Sequence, residues 1–301
     1  MIKRKASAAG RFYPSNKKSL EKKIESSFMD KKFGPGELPE SKNKEKRYTL
    51  GGTAPHAGYD YSGSAAAYTY YHLFKERIPD TVLILGTDHV GYGKIALMED
   101  GSWETPLGDL SIDSELAKEI LAKSDTIIAD ETAFTGFRLG QEHNIEVQLP
   151  FIKYCAKDKE TQIVPIKISN KNFKTFKVIS EDISNAITSL DKDIIIIASS
   201  DMTHKQPRDP RNPASDLEEM KNKDQAVINA FKEMDPRMIY ENATNTSVCG
   251  PQTITSLVMI CKHLGAKHAK ALKYYTSYEK MGSSGPCDYS VGYFSGILSK
   301  E

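Results

Sequence analysis

The sequence predicts an α/β fold, with a central, mostly parallel or mixed β-sheet flanked by helices in one domain spanning residues 1–301. Three observations predict it. Apolar runs of strand length alternate with amphipathic stretches, the pattern of a largely parallel or mixed sheet covered by helices. The length of 301 residues allows a full hydrophobic core. No internal repeat or shift of composition divides the chain, and residues 31–47, rich in Lys, Glu, Gly and Pro, read as a solvated connection too short for a domain linker.

The elements follow in order. After the lead Ala9-Gly10-Arg11-Phe12-Tyr13-Pro14, Ser15 is a candidate cap for a helix carrying Leu20, Ile24 and Phe28 at helical spacing. Residues 48–54, 81–86, 163–168 and 194–198 read as buried strands, and 65–74 reads as helical. Covering helices are expected at 113–123 and at 173–190, the latter through Phe173, Phe176, Ile179, Ile183 and Leu190. A further helix fits 251–264, with Pro251 in its first turn and Gly265 as its stop. Strands at 271–276 and 291–298 return the C-terminus to the sheet.

Charge excludes some function classes. Forty-one basic and 40 acidic side chains leave a formal charge of +1, so bulk electrostatics favours neither nucleic acid nor an anionic membrane. Neither a signal peptide nor a membrane span is evident, and a cytoplasmic protein is expected. Cys155, Cys249, Cys261 and Cys287 form no CxxC pair, which argues against a zinc ribbon or a disulfide framework and for reduced thiols.

The chemistry concentrates at strand ends. His56, His89 and His204 follow strand-like runs, in Pro55-His56-Ala57-Gly58-Tyr59, Gly86-Thr87-Asp88-His89 and Ser199-Ser200-Asp201-Met202-Thr203-His204. The crevice beyond the carboxyl ends of strands is where open α/β sheets bind ligands. A fourth, His143, lies in Gln141-Glu142-His143-Asn144-Ile145-Glu146, where i, i+3 spacing puts His143 and Glu146 on one helix face, with Glu146 either orienting an imidazole or facing solvent. A lone histidine is usually structural, and His72, His263 and His268 are read that way. Cys249 precedes the helix expected at 251, where the dipole lowers a thiol's pKa and favours thiolate, nucleophile or metal ligand; the alternative is a small buried hydrophobe. Packing explains Cys261, and Cys155 and Cys287 have no obvious partner. Met281-Gly282-Ser283-Ser284-Gly285 lacks Walker spacing, no GxGxxG follows a strand, and Ser199-Ser200 lacks a GxSxG elbow, so neither a nucleotide cofactor nor a serine hydrolase is expected.

Taken in order, the lead, Pro55-His56-Ala57-Gly58-Tyr59, Gly86-Thr87-Asp88-His89, Glu142-His143-Asn144-Ile145-Glu146, Ser199-Ser200-Asp201, His204 and Cys249-Gly250-Pro251 resemble the Memo family. That family is similar in fold to class III extradiol dioxygenases, in which two histidines and a carboxylate hold Fe(II) and a further histidine is the acid/base. By motif, the resemblance implies His56, His89 and Cys249 as ligands of iron, copper or zinc, with Cys249 at the carboxylate's position. It implies His204 as acid/base, with Asp201 and His143 as further pocket residues, and a functional association with a radical SAM protein. A thiolate is softer than a carboxylate and oxidisable, so ring cleavage does not transfer with the fold.

Two functions follow as expectations. One is a metal-dependent oxidoreductase acting on a small molecule, aromatic ones included, walled by Tyr59 and Tyr61, with hydrolysis by a metal-bound water needing the same ligands. The other is a pocket that binds a peptide or a metal without turnover, as relatives in animals are associated with phosphotyrosine peptides.

Overall fold

Four strands with almost uninterrupted apolar runs lie side by side and parallel at the centre of the molecule. A computed structural model describes residues 2–135 and 141–301. In it Thr49–Ala54, Ile194–Ser199, Thr81–Thr87 and Gln162–Ile168 are neighbours in that order. Ile195, Ile196, Ile197, Leu83, Ile84 and Leu85 are fully buried, as expected for strands covered on both faces. Ser290–Ser299 joins antiparallel to Thr49–Ala54, and His268–Thr276 pairs antiparallel to it in turn. On the far side Ile95–Leu97 runs antiparallel to Gln162–Ile168 and parallel to Ile127–Ala129. The sheet of nine strands is therefore mixed, and the fold is α/β.

Helices cover it in two groups. Lys17–Met29, Tyr59–Glu76 and Leu149–Ala156 pack together, with Tyr59–Glu76 against Thr49–Ala54 and Ser290–Ser299. Pro251–His263 packs on Ile194–Ser199, Thr81–Thr87 and Thr49–Ala54, backed by Phe173–Thr188, with Ala214–Lys232 and Pro236–Thr244 beside it. Local chemistry sets the helix starts: Asp113 and Asn172 accept from the backbone N–H groups of Leu116 and Thr175. The first helix is capped by Asn16, not Ser15, because the Asn16 side chain reaches the Ser19 N–H. Among the described residues no helix is long and apolar enough to cross a membrane.

A small second sheet locks the N-terminal lead down. Lys3–Arg4 pairs parallel with Ser102–Trp103, which pairs antiparallel with Leu110–Ser111. Arg4 thereby enters the interior, stacks on Trp103, and meets the 142–146 segment. The parallel strands Thr49–Ala54, Thr81–Thr87 and Ile194–Ser199 all end at one edge of the sheet, and His56, His89 and the 200–204 turn leave from there.

Candidate metal centre

His56 lies two residues beyond its strand, turned by Pro55, and is fixed through its backbone. Its N–H donates to Asp201 Oδ1 at 2.8 Å, and the Ala57 N–H reaches the same oxygen at 3.3 Å. The buried ring has its Nδ1 at 3.0 Å from Ser199 Oγ. That hydroxyl's one proton goes to the Asn144 carbonyl at 2.8 Å, and Gln148 Nε2 donates to the oxygen at 2.8 Å. Ser199 can only accept from the imidazole, so Nδ1 carries the proton and the Nε2 lone pair faces outward.

The second imidazole is set by a carboxylate. His89 Nδ1 is 3.0 Å from Glu142 Oε1, and the His89 backbone N–H donates to Oε2 at 2.9 Å. Glu142 is fully buried, and it also accepts from Asn144 Nδ2 at 2.9 Å and the His143 N–H at 3.1 Å. Burial works against its charge, but the His89 contacts, with Lys167 behind, bring its pKa down to about 2. An ionised acceptor makes Nδ1 of His89 the donor and leaves Nε2 free.

Cys249 completes the group. Its Sγ is 3.2 Å from His56 Nε2 and accepts from the Asp201 N–H at 3.1 Å. One ligand atom from each of His56, His89 and Cys249 lies within 4.8 Å of the others. Bonds of about 2.0–2.3 Å around a tetrahedral ion need ligand separations of about 3.3–3.8 Å, so small side-chain adjustments suffice. Two neutral imidazoles and a thiol suit zinc, copper or iron better than magnesium or calcium. Nδ1 groups tied to a hydroxyl and a carboxylate are the outer partners that metal-binding histidines ordinarily have.

Burial favours the neutral form of two of the histidines, His56 and His143. Burial, with the neighbouring rings adding to it, pulls His56 down to about 3, and burial also lowers His143. Cys249 departs from expectation. Its helix, Pro251–His263, starts beyond an intervening Gly250, and burial next to the Asp201 carboxylate pushes the thiol up rather than down. A metal binding there must displace that proton, so affinity rises with pH.

The remaining candidates stand around this group. His143 stacks on Phe12 at 4.4 Å and on His89 at 5.0 Å between ring centroids, 5.7 Å from the His56 ring. Asp201 links His56 to His204, whose Nε2 is 3.9 Å from Asp201 Oδ2, and its pKa is lowered by those histidines against the effect of burial. Tyr289, 57% exposed, lies 6.0 Å from the His204 ring.

Two sequence readings are corrected. His143 and Glu146 do not share a helix face: a turn precedes the short helix Glu146–Gln148, and Glu146 points the other way. It is buried among Arg4, the Ser7 hydroxyl, the Ala8 N–H and the Tyr13 hydroxyl, anchoring the N-terminal lead. Tyr59 is no pocket wall; it is a core residue whose hydroxyl donates to the Val147 carbonyl at 2.6 Å, whereas Tyr61 is exposed. The reading missed Glu142, Ser199, Asn144 and Gln148, which orient the imidazoles. The signal for Glu142 was a carboxylate adjoining a histidine in a segment already singled out.

The family model described as Memo-like protein matches residues 4–297. The chain belongs to the Memo family. A MEMO1 family protein of Methanopyrus kandleri is 37% identical over 298 residues, covering 97% of each chain. Another, of Desulfurococcus amylolyticus, is 38% identical over 296 residues, covering 97% of this chain and 98% of that one. A third, of Sulfurisphaera tokodaii, is 37% identical over 292 residues, covering 95% and 96%. An uncharacterized protein of Escherichia coli K12 superposes with a TM-score of 0.42 at 15% identity, covering 71% of this chain and 86% of that one, a likeness too loose to define the fold. In this Memo-family chain all six candidate residues lie at the carboxyl edge of the sheet or in the segments that meet it.

Proposed function

We propose that this Memo-family protein is a metal-dependent oxidoreductase acting on a small molecule beside His56, His89 and Cys249. One observation carries the reading: a ring nitrogen of His56, a ring nitrogen of His89 and the Cys249 sulfur lie within 4.8 Å of one another, and each imidazole has its Nδ1 against a buried partner. Bound iron or copper supplies a Lewis acid able to exchange electrons with substrate. The chain's own residues do the rest. Asp201 orients His56 through its backbone and stands 3.9 Å from His204, making His204 the candidate to hold or move a substrate proton. Phe12 and His143 offer stacked rings as a surface for a flat substrate.

The sulfur favours a second reading, a pocket that holds a metal or a ligand without turnover. A thiol at the position of a carboxylate selects softer ions and is itself open to oxidation. Metal analysis after purification without chelator, in air and without it, followed by O₂ uptake with a panel of catechols and related small molecules, separates the two. Stoichiometric iron or copper with substrate-dependent, His204-dependent uptake supports the enzyme. Zinc alone with no uptake supports the binding protein, and no metal in either preparation defeats the enzyme and leaves only a pocket that binds a ligand without metal.

A further inference from the structure

Lys167 lies in the middle of Gln162–Ile168, paired with Gly86 on one side and Ala96 on the other, and its side chain is wholly buried. Its ammonium makes no hydrogen bond. The nearest acceptors are Asp88 Oδ1 at 3.7 Å and Glu142 Oε2 at 3.8 Å, and that Asp88 oxygen is likewise without a partner. Both carboxylates belong to His89. Asp88 precedes it in the chain, and Glu142 takes its Nδ1 and its backbone N–H. Beyond His89 the loop turns back at Gly91 and Gly93, both in the left-handed region where glycine is preferred, and brings Tyr92 to 5.6 Å from the ammonium. The other Asp88 oxygen closes this loop, accepting from the Gly93 N–H and the Ser169 hydroxyl, each at 2.8 Å.

We infer that Lys167 is a positioning residue for His89: its buried charge holds Asp88 and Glu142 together beneath the loop and thereby fixes the imidazole with Nδ1 on Glu142 and Nε2 free. A lysine is seldom enclosed fully without a paired hydrogen bond, because its desolvation is costly. Here one ammonium balances two enclosed carboxylates, and without it the two like charges face each other across hydrocarbon. Burial lowers the pKa of Lys167, and Glu142 and Asp88 oppose that shift. The role rests on the proposal that His89 is a metal ligand, but the geometry it sets exists before any metal arrives.

The test uses Lys167→Met, similar in length and uncharged, and Asp88→Asn, alone and combined, in the full chain. The first readout is the ¹⁵N shift pair of the His89 ring in metal-free protein, which reports the tautomer. The second is zinc affinity by competition with a chelating dye. Wild type is expected to show a single Nδ1–H tautomer, and Asp88→Asn, which keeps the ammonium beside Glu142, less tautomer mixing and a smaller loss of affinity than Lys167→Met. Lys167→Met is expected to mix the tautomers and weaken zinc about 10- to 100-fold, the usual cost of losing an outer partner. If Lys167→Met does not fold, the double variant carries the same test. It has one uncompensated carboxylate instead of two, and mixed tautomers with about tenfold weaker binding are expected. A single tautomer with wild-type affinity in either lysine variant overturns the inference. If wild type itself binds no zinc, zinc is not the ion of this site, and the tautomer comparison still decides the role of Lys167.

Discussion

Replacing Glu142 with glutamine keeps the shape of the side chain and removes its charge. Each hydrogen-bonding neighbour of that carboxylate is a donor: the His89 N–H and Nδ1–H, the His143 N–H and Asn144 Nδ2. An amide has one acceptor oxygen, so in either orientation its NH₂ faces a donor. The shift of Glu142 from 4.5 to about 2 corresponds to about 3 kcal/mol at 1.36 kcal/mol per unit, comparable to the loss of one or two hydrogen bonds to a charged group. The folded pKa lies below the unfolded one. The contribution is therefore complete above pH 4.5 and is lost as pH falls through about 2, by about 1.4 kcal/mol per unit. Urea unfolding of both proteins should show Glu142→Gln less stable by about 3 kcal/mol at about pH 7, with a gap about 1 kcal/mol smaller at about pH 3.5. A gap under about 1 kcal/mol, or one indifferent to pH, would refute the assignment of Glu142 as a buried anion organised around His89.

Further tests bear on the site and its anchor. His56→Ala should abolish zinc binding in equilibrium dialysis while His204→Ala keeps it; equal loss in both would make His204 a ligand rather than an acid/base. Cys249→Asp and Cys249→Glu should bind Fe(II) more tightly under anaerobic conditions, since a two-histidine, one-carboxylate set suits that ion. Catechol-dependent, His204-dependent O₂ uptake confined to those variants is the expected result, and cleavage by wild type would show that the sulfur is no impediment. Arg4→Met leaves Glu146 buried without its counter-ion and should cost about 3–5 kcal/mol in chemical denaturation, part of it recovered in Arg4→Met/Glu146→Gln. Additivity of the two single changes would show that the pair is not coupled.

Much of this architecture was legible in the sequence because its strands are long and apolar. The four parallel strands were recognisable within a residue or two, since strands buried on both faces show as continuous runs. Ile95–Leu97 and Ile127–Ala129 were not, because three residues carry no periodicity. Nor was Lys3–Arg4, whose charge suggests surface although Arg4 is 3% exposed. The clustering of His56, His89 and Cys249 came from ordered motifs, whereas their orientation depends on Ser199 and Glu142, whose roles follow from who donates to whom in three dimensions. The mistaken partnership of His143 with Glu146 has a similar origin: i, i+3 spacing implies a shared face only once a helix has begun, and here it begins at Glu146.

His56 and Cys249 touch across 193 positions of chain, and His89 meets Glu142 across 53. No local stretch of polypeptide contains the ligand set, so it comes into being only when the distant strands have docked. An ion that recognises this set discriminates the native state from every partly folded one. At a free concentration a hundredfold above its dissociation constant it adds about 2.7 kcal/mol to native stability. If the proposed site holds a metal, metal content becomes a gauge of global folding: a core substitution far from the site that raises the unfolded fraction would lower occupancy at a fixed free-metal level, and scarcity of metal would expose weaknesses in the sheet that abundance conceals.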